Sequence, residues 1–286
     1  MTLVNMMKLI EQADQKGIGV GAFNVGNMEM IIGVIKAAEE TQTPVIMQIA
    51  EGRLKHSPLH IIGPAMIAAA KDASVDIAVH LDHGRSIDTI RQALDLGFTS
   101  VMYDGSSLPY RGNLDKTKIA AQLAKEYGAA LECEIGIVGG SEGGDYEHKI
   151  KYTDPVDAMI FSERSGADVM AVAIGNAHGV YNGDPELRFD ILTEIKQKSA
   201  LPLVLHGGSG ISDADFQEAI RCGIRKINIA TASFMSTLDF ARNYLLGLGQ
   251  DARPNYFGLS EAMAAGTFDN VKHHIRVFNL EDLETI

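Results

Sequence analysis

The sequence has few cysteines and few basic residues, and each shortage excludes a class of protein. Two cysteines, Cys133 and Cys222, are too few for a disulfide scaffold in 286 residues, so a cytoplasmic location is expected. Lysine and arginine number 25 against 37 acidic residues, and the net charge of −12 leaves no basic stripe for nucleic acid. No apolar run approaches the roughly 20 residues that span a bilayer, so no membrane partner is expected either.

Short apolar segments alternate with helical patterns along the chain. The segments lack strict alternation with polar residues, which is typical of parallel strands buried on both faces. Helical patterns occupy residues 28–40, 87–97 and 114–128, and helix starts are predicted just past Asn113, Asp154 and Ser212. Strands are predicted at Gly19–Asn24, Val45–Ala50, Ile77–Leu81, Ser100–Asp104, Ala130–Ile135, Val169–Ile174, Leu203–His206 and Lys226–Ile229.

The eight strand–helix units predict a (β/α)₈ TIM barrel that forms a single domain over residues 1–286. Residues 232–286 are expected to form a divergent, helical C-terminal part of that domain. An open, doubly wound sheet is the main alternative, but the sequence lacks the glycine fingerprint that such a sheet carries after its first strand. In a barrel, catalytic groups gather at the carboxyl ends of the strands. The polar residues at these ends are Asn24, Glu51, Asp82, His83, Asp104, Glu132, Glu134, His178, His206, Asn228 and Thr231.

Three of these residues, His83, His178 and His206, are histidines that are each followed by glycine. Three imidazoles with one open position are typical of catalytic rather than structural zinc, although each histidine alone could be a satisfied hydrogen-bonding residue. In extended backbone the side chains of Asp82 and His83 diverge, so Asp82 could face the reacting centre or orient a ligand.

The remaining titratable residues near the strand ends are less clearly assigned. Asp104 and Glu134 could be additional metal ligands or carboxylates that orient a ligand, and the sequence does not separate these roles. His80 is expected to be a packed, hydrogen-bonded residue. Surface positions are predicted for the other histidines, which are His56, His60, His148, His273 and His274.

Two segments favour anion binding, Gly207–Gly208–Ser209–Gly210 after strand 7 and Asn228–Ile229–Ala230–Thr231 after strand 8. In barrel enzymes the loops after these two strands frequently bind phosphate through backbone N–H groups. A third segment, GIVGGSEGGDYEH at residues 136–148, is long, glycine-rich and acidic, and such loops often act as lids. Closure of this lid would bring in Glu142.

Taken together, six motifs resemble the class II, zinc-dependent fructose/tagatose-bisphosphate aldolases. The resemblance runs in order from Gly19 to about Thr231, which is roughly four-fifths of the chain. The motifs are HLDHG at 80–84, SVMYDGS at 100–106, ECEIGIVGGSE at 132–142, AIGNAHGVY at 173–181, LPLVLHGGSGI at 201–211 and KINIAT at 226–231.

The resemblance implies zinc on His83, His178 and His206, with Asp104 and Glu134 in an alternative or second metal position. It implies that Asp82 is the acid/base at the C4 hydroxyl and that Glu142 moves the carbon-bound proton. A monovalent cation, Na⁺ or K⁺, often lies beside the bound dihydroxyacetone phosphate in this family. The candidate substrate-binding residues are Asn24, Gly179, Gly207, Gly208, Ser209, Asn228, Ile229, Ala230 and Thr231.

The expected reaction is the reversible retro-aldol cleavage of a ketose (bis)phosphate to dihydroxyacetone phosphate and an aldehyde such as glyceraldehyde 3-phosphate. Cleavage beside a ketone leaves an enediolate, whose charge zinc would stabilise as a Lewis acid. The other known route uses a Schiff base with a strand lysine. The only strand lysine, Lys226, is expected at the start of strand 8 and therefore at the wrong end of the barrel.

Departures from the family pattern leave the aldehyde half of the substrate open. Ala50-Glu51-Gly52 replaces the usual Ser-Glu-Gly, and neither Arg253 nor Arg276 can be assigned to a second phosphate. An alternative substrate is therefore a ketose 1-phosphate with a non-phosphorylated aldehyde half. A barrel hydrolase is disfavoured because no His-x-His pair follows strand 1, and the retained Asp82 argues against a non-catalytic sugar-phosphate binder. The resemblance and the amphipathic C-terminal segment favour a homodimer or homotetramer.

Overall fold

Eight parallel strands close into a barrel, as the sequence predicts. The computed structural model describes residues 2–140, 149–179, 185–248 and 253–285. Around the barrel each strand pairs with its neighbours along the chain, and the last strand pairs with the first. The strands are β1 Val20–Asn24, β2 Val45–Ala50, β3 Ile77–Gly84, β4 Ser100–Tyr103, β5 Ala130–Ile135, β6 Val169–Val172, β7 Leu203–Leu205 and β8 Ile224–Ile229.

A helix follows each strand and packs on the outside of the barrel, and two further helices precede and follow this ring. The first helix is α1 Met6–Lys16, and the last is α10 Tyr256–Phe278. The eight helices of the ring are α2 Met28–Glu40, α3 Leu59–Asp72, α4 Ile87–Asp95, α5 Tyr110–Glu126, α6 Pro155–Arg164, α7 Phe189–Lys198, α8 Asp213–Arg221 and α9 Thr231–Leu246.

The helix starts follow the predicted caps in two cases and not in the third. The side chains of Asp154 and Ser212 accept hydrogen bonds from the first turns of α6 and α8, as N-caps do. The predicted cap Asn113 instead lies inside α5, which begins at Tyr110 directly after Pro109. Asn113 is buried and donates to the carbonyl oxygen of Glu134, so its side chain serves a tertiary contact instead of a cap.

The barrel interior is apolar at the end where the strands begin. Val20, Ile46, Val169 and Val204 belong to a buried cluster that also includes Met6, Leu9 and Ile10 of α1. Helix α1 therefore closes this end of the barrel, and the polar strand ends lie at the opposite, open end.

Helix α10 runs along the outside of the barrel over the junction between β1 and β8. Near its start, Ser260 donates to Glu29 at the beginning of α2, beside the open end. At its end, the carbonyl oxygen of Phe278 accepts from the backbone N–H of Gly19, just before β1. Helix α10 thus spans the barrel from the open end to the closed end.

The predicted surface position of His274 is wrong. His274 lies on the inner face of α10, where its ring packs against Phe23, Phe216 and Phe278. Burial lowers the pKa of His274 from 6.5 to about 4, because a charged imidazole would lose its hydration there. Among the described residues, no helix is long and apolar enough to cross a membrane.

Candidate active site

Three histidine side chains from distant parts of the chain converge at the open end of the barrel. His83 lies in β3, His206 directly follows β7, and His178 follows β6 in a short bridge with Gly140. One ring nitrogen from each of the three lies within 4.8 Å of the other two. The ring centroid of His83 lies 4.8 Å from that of His178 and 4.7 Å from that of His206. The parallel barrel therefore brings together the three residues that the sequence predicts as a metal site.

The backbone at His83 explains why Asp82 and His83 both reach this site. His83 has φ +44°, in the left-handed region that non-glycine residues rarely adopt, and the pairing of β3 with β4 shifts register between Leu81 and Gly84. The expected divergence of two consecutive side chains in extended backbone is therefore wrong here. A carboxylate oxygen of Asp82 lies 4.0 Å from Nε2 of His83. Strain of this kind is typical of functional sites.

Carboxylates orient two of the three imidazoles. Asp104 Oδ2 lies 2.9 Å from Nδ1 of His83, and Glu132 Oε1 lies 2.6 Å from Nε2 of His206. The opposite nitrogens, His83 Nε2 and His206 Nδ1, face each other at 2.9 Å. Burial lowers the pKa of His206 despite its bond to Glu132, so the ring is neutral at neutral pH. Neutral imidazoles with oriented lone pairs are the form that binds metals.

A second group of possible ligands shares His83 with the first. His83, Asp104 and Glu134 each offer an atom within 4.8 Å of the others. Burial and the charge of Asp104 raise the pKa of Glu134 to about 8, so this carboxyl group is protonated near neutral pH when no cation is beside it. The placement is compatible with both roles that the sequence leaves open for Asp104 and Glu134.

Two asparagines donate hydrogen bonds to Asp82, and each asparagine is itself oriented by a hydrogen bond to its oxygen. Asn24 and Asn228 each donate from Nδ2 to a different oxygen of Asp82 at 3.0 Å. The oxygen of Asn24 accepts from Gln48 at 2.7 Å, and the oxygen of Asn228 accepts from Lys226 at 2.7 Å. Neither amide can therefore turn its oxygen towards Asp82 without losing a hydrogen bond.

The charge state of Asp82 follows from these surroundings. Burial alone would raise its pKa, but electrostatic interactions with His83, His206 and Lys226 outweigh burial and lower the pKa to about 2. Asp82 is therefore an ionised carboxylate at neutral pH.

Glycine-rich turns border a cavity beside Asp82. Ten of its eleven lining residues come from the predicted strand ends and anion-binding segments. Gly207 has φ +63°, and a Cβ there would lie 2.2 Å from the carbonyl oxygen of Ala177, so only glycine fits. Ser209 accepts from the backbone N–H of Ala232 at 2.9 Å, which connects the turn after β7 to the first turn of α9. The lining residues are Asn24, Asp82, His83, His178, Gly179, Gly207, Gly208, Ser209, Asn228, Ala230 and Thr231.

Ile229 is the one predicted substrate-binding residue whose side chain does not line this cavity. It is buried in the core between the barrel and the helices, under Gly208. Its side chain therefore packs and does not contact a ligand.

Comparisons with known proteins agree with this geometry. The model of the family "Fructose-bisphosphate aldolase class-II" matches residues 4–282. The chain belongs to the class II fructose-bisphosphate aldolase family. This family is one of aldehyde-lyases, and its members are generally metal-dependent.

Individual members of the family match over nearly their full length. A sulfofructosephosphate aldolase of Alkalicoccus urumqiensis is 38% identical, over 99% of this chain and 98% of that protein. A fructose-bisphosphate aldolase of Staphylococcus aureus strain Mu50 is 38% identical, over 86% of this chain and 87% of that protein. The crystal structure of the YdjI aldolase from Escherichia coli K12 superposes with a TM-score of 0.86 at 33% identity, over 96% and 97% of the two chains.

A larger cavity adjoins both groups of possible metal ligands in this class II aldolase. It has a volume of about 240 Å³, and His83, Asp104, Glu134 and His178 form part of its wall. Arg85 and Lys116 also line it, so cationic groups border the space beside the histidines. The cavity offers room for a substrate next to both groups of possible metal ligands.

Several other predicted residues lie away from the three histidines. Glu51 accepts from Thr89 and from the backbone N–H of Arg85, so it organises the turn before α4. Arg276 pairs with Glu281 near the closed end of the barrel, away from the three histidines of the same chain. Arg253 lies just before α10, towards the open end. Glu142 lies outside the described residues.

The sequence did not reveal the contacts of two buried residues near the site, Glu132 and Lys226. Glu132 was recognised only as a strand-end carboxylate, but it contacts both His206 and Lys226. The backbone of Lys226 pairs with Val20 near the closed end, as expected, but its long side chain extends inside the barrel towards the open end and contacts Asn228. The inward-facing polar positions of adjacent strands were the available signal, since such positions in an apolar barrel need partners.

Proposed function

We propose that this aldolase cleaves a ketose 1-phosphate reversibly to dihydroxyacetone phosphate and an aldehyde, with zinc as its metal. The convergence of three imidazoles beside an ionised Asp82 and a glycine-lined cavity carries this proposal. Each feature corresponds to one requirement of the reaction, namely an electrophile, a proton acceptor and a phosphate site.

The three histidines fit a zinc ion. His83 Nε2 and His206 Nδ1 face each other at 2.9 Å, and a nitrogen of His178 lies within 4.8 Å of both, which suits a cation with bonds of about 2.0–2.1 Å to each nitrogen. The buried atom Glu134 Oε2 has no hydrogen-bond partner among the described residues, and it lies 3.7 Å from His206 Nδ1. A second cation on His83, Asp104 and Glu134 would satisfy it. When bound, zinc supplies Lewis acidity that stabilises the negative charge developing on the ketone side of the cleaved bond.

Asp82 is proposed to accept the proton of the C4 hydroxyl as the carbon–carbon bond breaks. Its carboxylate is ionised, and the hydrogen bonds from Asn24 and Asn228 hold it in one orientation. Since the geometry of a general base must be set before the reaction, two donors on separate strands favour this role. The carbon-bound proton is proposed to be moved by Glu142, on the strength of the sequence resemblance.

The phosphate of the substrate is proposed to bind Gly179 and the segments 207–209 and 228–231, with Na⁺ or K⁺ beside it. Backbone N–H groups at glycine turns and at the start of α9 can bind an anion without lysine. This accommodates an anionic ligand in a chain with a net charge of −12.

Two candidates remain for the aldehyde half. A bisphosphate is suggested by the names of the fructose-bisphosphate aldolase relatives. A sulfonated ketose phosphate is suggested by the sulfofructosephosphate aldolase that matches 99% of the chain. Ala50 favours a departure from the bisphosphate pattern, because it removes a hydroxyl group at the end of β2, next to Asp82 in the pairing of β2 with β3.

A retro-aldol assay with a panel of ketose phosphates tests the proposal. The panel contains fructose and tagatose 1,6-bisphosphates, fructose 1-phosphate and 6-sulfofructose 1-phosphate, and release of dihydroxyacetone phosphate is measured. Activity should disappear on treatment with a chelator and return with Zn²⁺. Chelator-resistant cleavage of every substrate, or cleavage of none, would contradict the proposed function.

The assembly and location of the protein are further parts of the proposal. Leu238 and Leu246 of α9, together with Tyr256 and Phe257 of α10, are large apolar residues with 59–76% of their surface exposed. Exposed apolar groups on adjoining helices suggest an interface between subunits. We therefore propose a homodimer or homotetramer in the cytoplasm, and sedimentation analysis of the purified protein measures its mass in solution.

A further inference from the structure

One buried lysine contacts both halves of the candidate catalytic machinery. Lys226 is fully buried inside the barrel. Its Nζ lies 2.8 Å from Glu132 Oε2 and donates to Asn228 Oδ1 at 2.7 Å. Burying an ammonium group costs several kcal/mol unless it is paired, so this position needs a reason beyond packing.

The first contact leads to the metal site. Glu132 uses its other oxygen to accept from Nε2 of His206 at 2.6 Å, which places the ring proton on Nε2. Nδ1 of His206 is then left with a lone pair directed at the space between the histidines. Lys226 holds the Glu132 carboxylate in the orientation that makes this arrangement possible.

The second contact leads to the proton acceptor. Because the oxygen of Asn228 accepts from Lys226, the Nδ2 group of Asn228 must point to Asp82, to which it donates at 3.0 Å. A reversed amide would place an oxygen against the Asp82 carboxylate and repel it. The same ammonium group therefore determines the orientation of both Glu132 and Asn228.

The lower interior of the barrel is apolar, so an ion pair is not needed to fill the space there. Val20, Ala22, Ile46 and Val204 belong to a buried apolar cluster in that layer. Replacing a buried ion pair by apolar residues is often neutral for stability, so stability alone is a weak reason for this pair.

We propose that Lys226 is a positioning residue that orients Glu132 and Asn228, and through them the metal ligand His206 and the proton acceptor Asp82. The proposal rests on the proposed functions of His206 and Asp82. It differs from a Schiff-base role, because Nζ is buried and already bound to a carboxylate and an amide oxygen.

Two variants separate the contact of Lys226 with Glu132 from its contact with Asn228. Lys226→Met removes the ammonium group from Glu132 Oε2 and from Asn228 Oδ1, so neither side chain is held in its orientation. We therefore expect zinc affinity and kcat each to fall about 10- to 100-fold. Lys226→Met with Glu132→Gln removes both buried charges, and the glutamine oxygen can still accept from His206. This double variant should regain zinc affinity, but its kcat should stay about 10- to 100-fold low with little change in KM, because Asn228 still lacks its donor.

Thr237→Val is the matched control. Thr237 is buried in α9, and its hydroxyl group bonds to the carbonyl oxygen of Ser233 and to Thr267 of α10. Its zinc affinity and kcat should be those of the unmodified protein.

The readouts are equilibrium zinc titration, kcat and KM, and the thermal unfolding temperature. A purely structural ion pair predicts that the double variant regains stability and full kcat together, and this result would overturn the proposal. Unchanged zinc affinity in Lys226→Met would do the same. If Lys226→Met does not fold, the double variant decides through its kcat at normal zinc affinity. Zinc titration needs no catalysis, so the absence of aldol cleavage in the unmodified protein would count against the proposed function alone.

Discussion

Replacing Asp82 by asparagine removes the proposed proton acceptor while almost preserving its shape. The carboxylate accepts one hydrogen bond from Asn24 and one from Asn228, but an asparagine has only one oxygen to offer. One amide would then face another amide. Gln48 and Lys226 prevent the two neighbours from turning over to compensate.

The size of the effect follows from the two losses. A positioned general base contributes about 10²- to 10⁴-fold to a rate, which is about 2.7–5.5 kcal/mol of the barrier. The lost hydrogen bond to a charged group costs about 1.5–3 kcal/mol of folding free energy. We therefore expect kcat of Asp82→Asn to fall by about 10²- to 10⁴-fold, with a moderate loss of stability and an unchanged zinc content.

The assay couples release of dihydroxyacetone phosphate to NADH oxidation, with zinc measured in the same samples. Asp168→Asn is the matched control, because Asp168 lies at the closed end and accepts from the backbone N–H of Leu131 at 2.8 Å. This control should keep its full kcat. A fall of less than about tenfold in zinc-loaded Asp82→Asn would refute the assignment of the proton acceptor.

Three further predictions concern other parts of the molecule. Gly207→Ala should raise KM for the ketose phosphate, because left-handed backbone costs alanine about 1–2 kcal/mol and its Cβ would displace Ala177; an unchanged KM would contradict the anion site. Arg276→Ala should leave KM unchanged, since Arg276 lies at the closed end paired with Glu281, and a raised KM would contradict this placement. His274→Leu should reduce the loss of stability in acid. Below pH 6.5 the unfolded chain binds a proton at His274, whereas the folded chain takes it up only near pH 4. The free energy of unfolding of the unmodified protein therefore falls by on the order of 3 kcal/mol as the pH drops through that window. Urea unfolding at pH 7 and pH 4.5 measures this difference, and equal losses in both proteins would disprove it.

The barrel, and the convergence of the candidate site residues at its open end, could be predicted because both follow from local patterns. Helix α2 occupies Met28–Glu40 as predicted, since its apolar spacing is regular and Asn27 caps it. The strand ends carry the polar residues because parallel strands share one carboxyl end. Such signals lie within a few residues of one another in the sequence.

The errors concern contacts between residues far apart in the chain. The left-handed backbone of His83 depends on its packing against β4, and periodicity does not report it. The contacts of Lys226 were missed because the prediction located its Cα and ignored the length of its side chain. His274 was assigned to the surface because it lies outside the strand ends, although three phenylalanines from different elements pack against it.

The junction between β1 and β8 has a consequence for how the protein is made. Ala22 pairs with Asn228 across this junction, so residues about 200 positions apart must meet before the barrel closes. Contacts of such long sequence separation form late, because the entropy of closing a long loop opposes them. Asn24 and Asn228, which together hold Asp82, stand on either side of the junction. During synthesis Asp82 therefore acquires its hydrogen bonds to both asparagines only after β8 has left the ribosome.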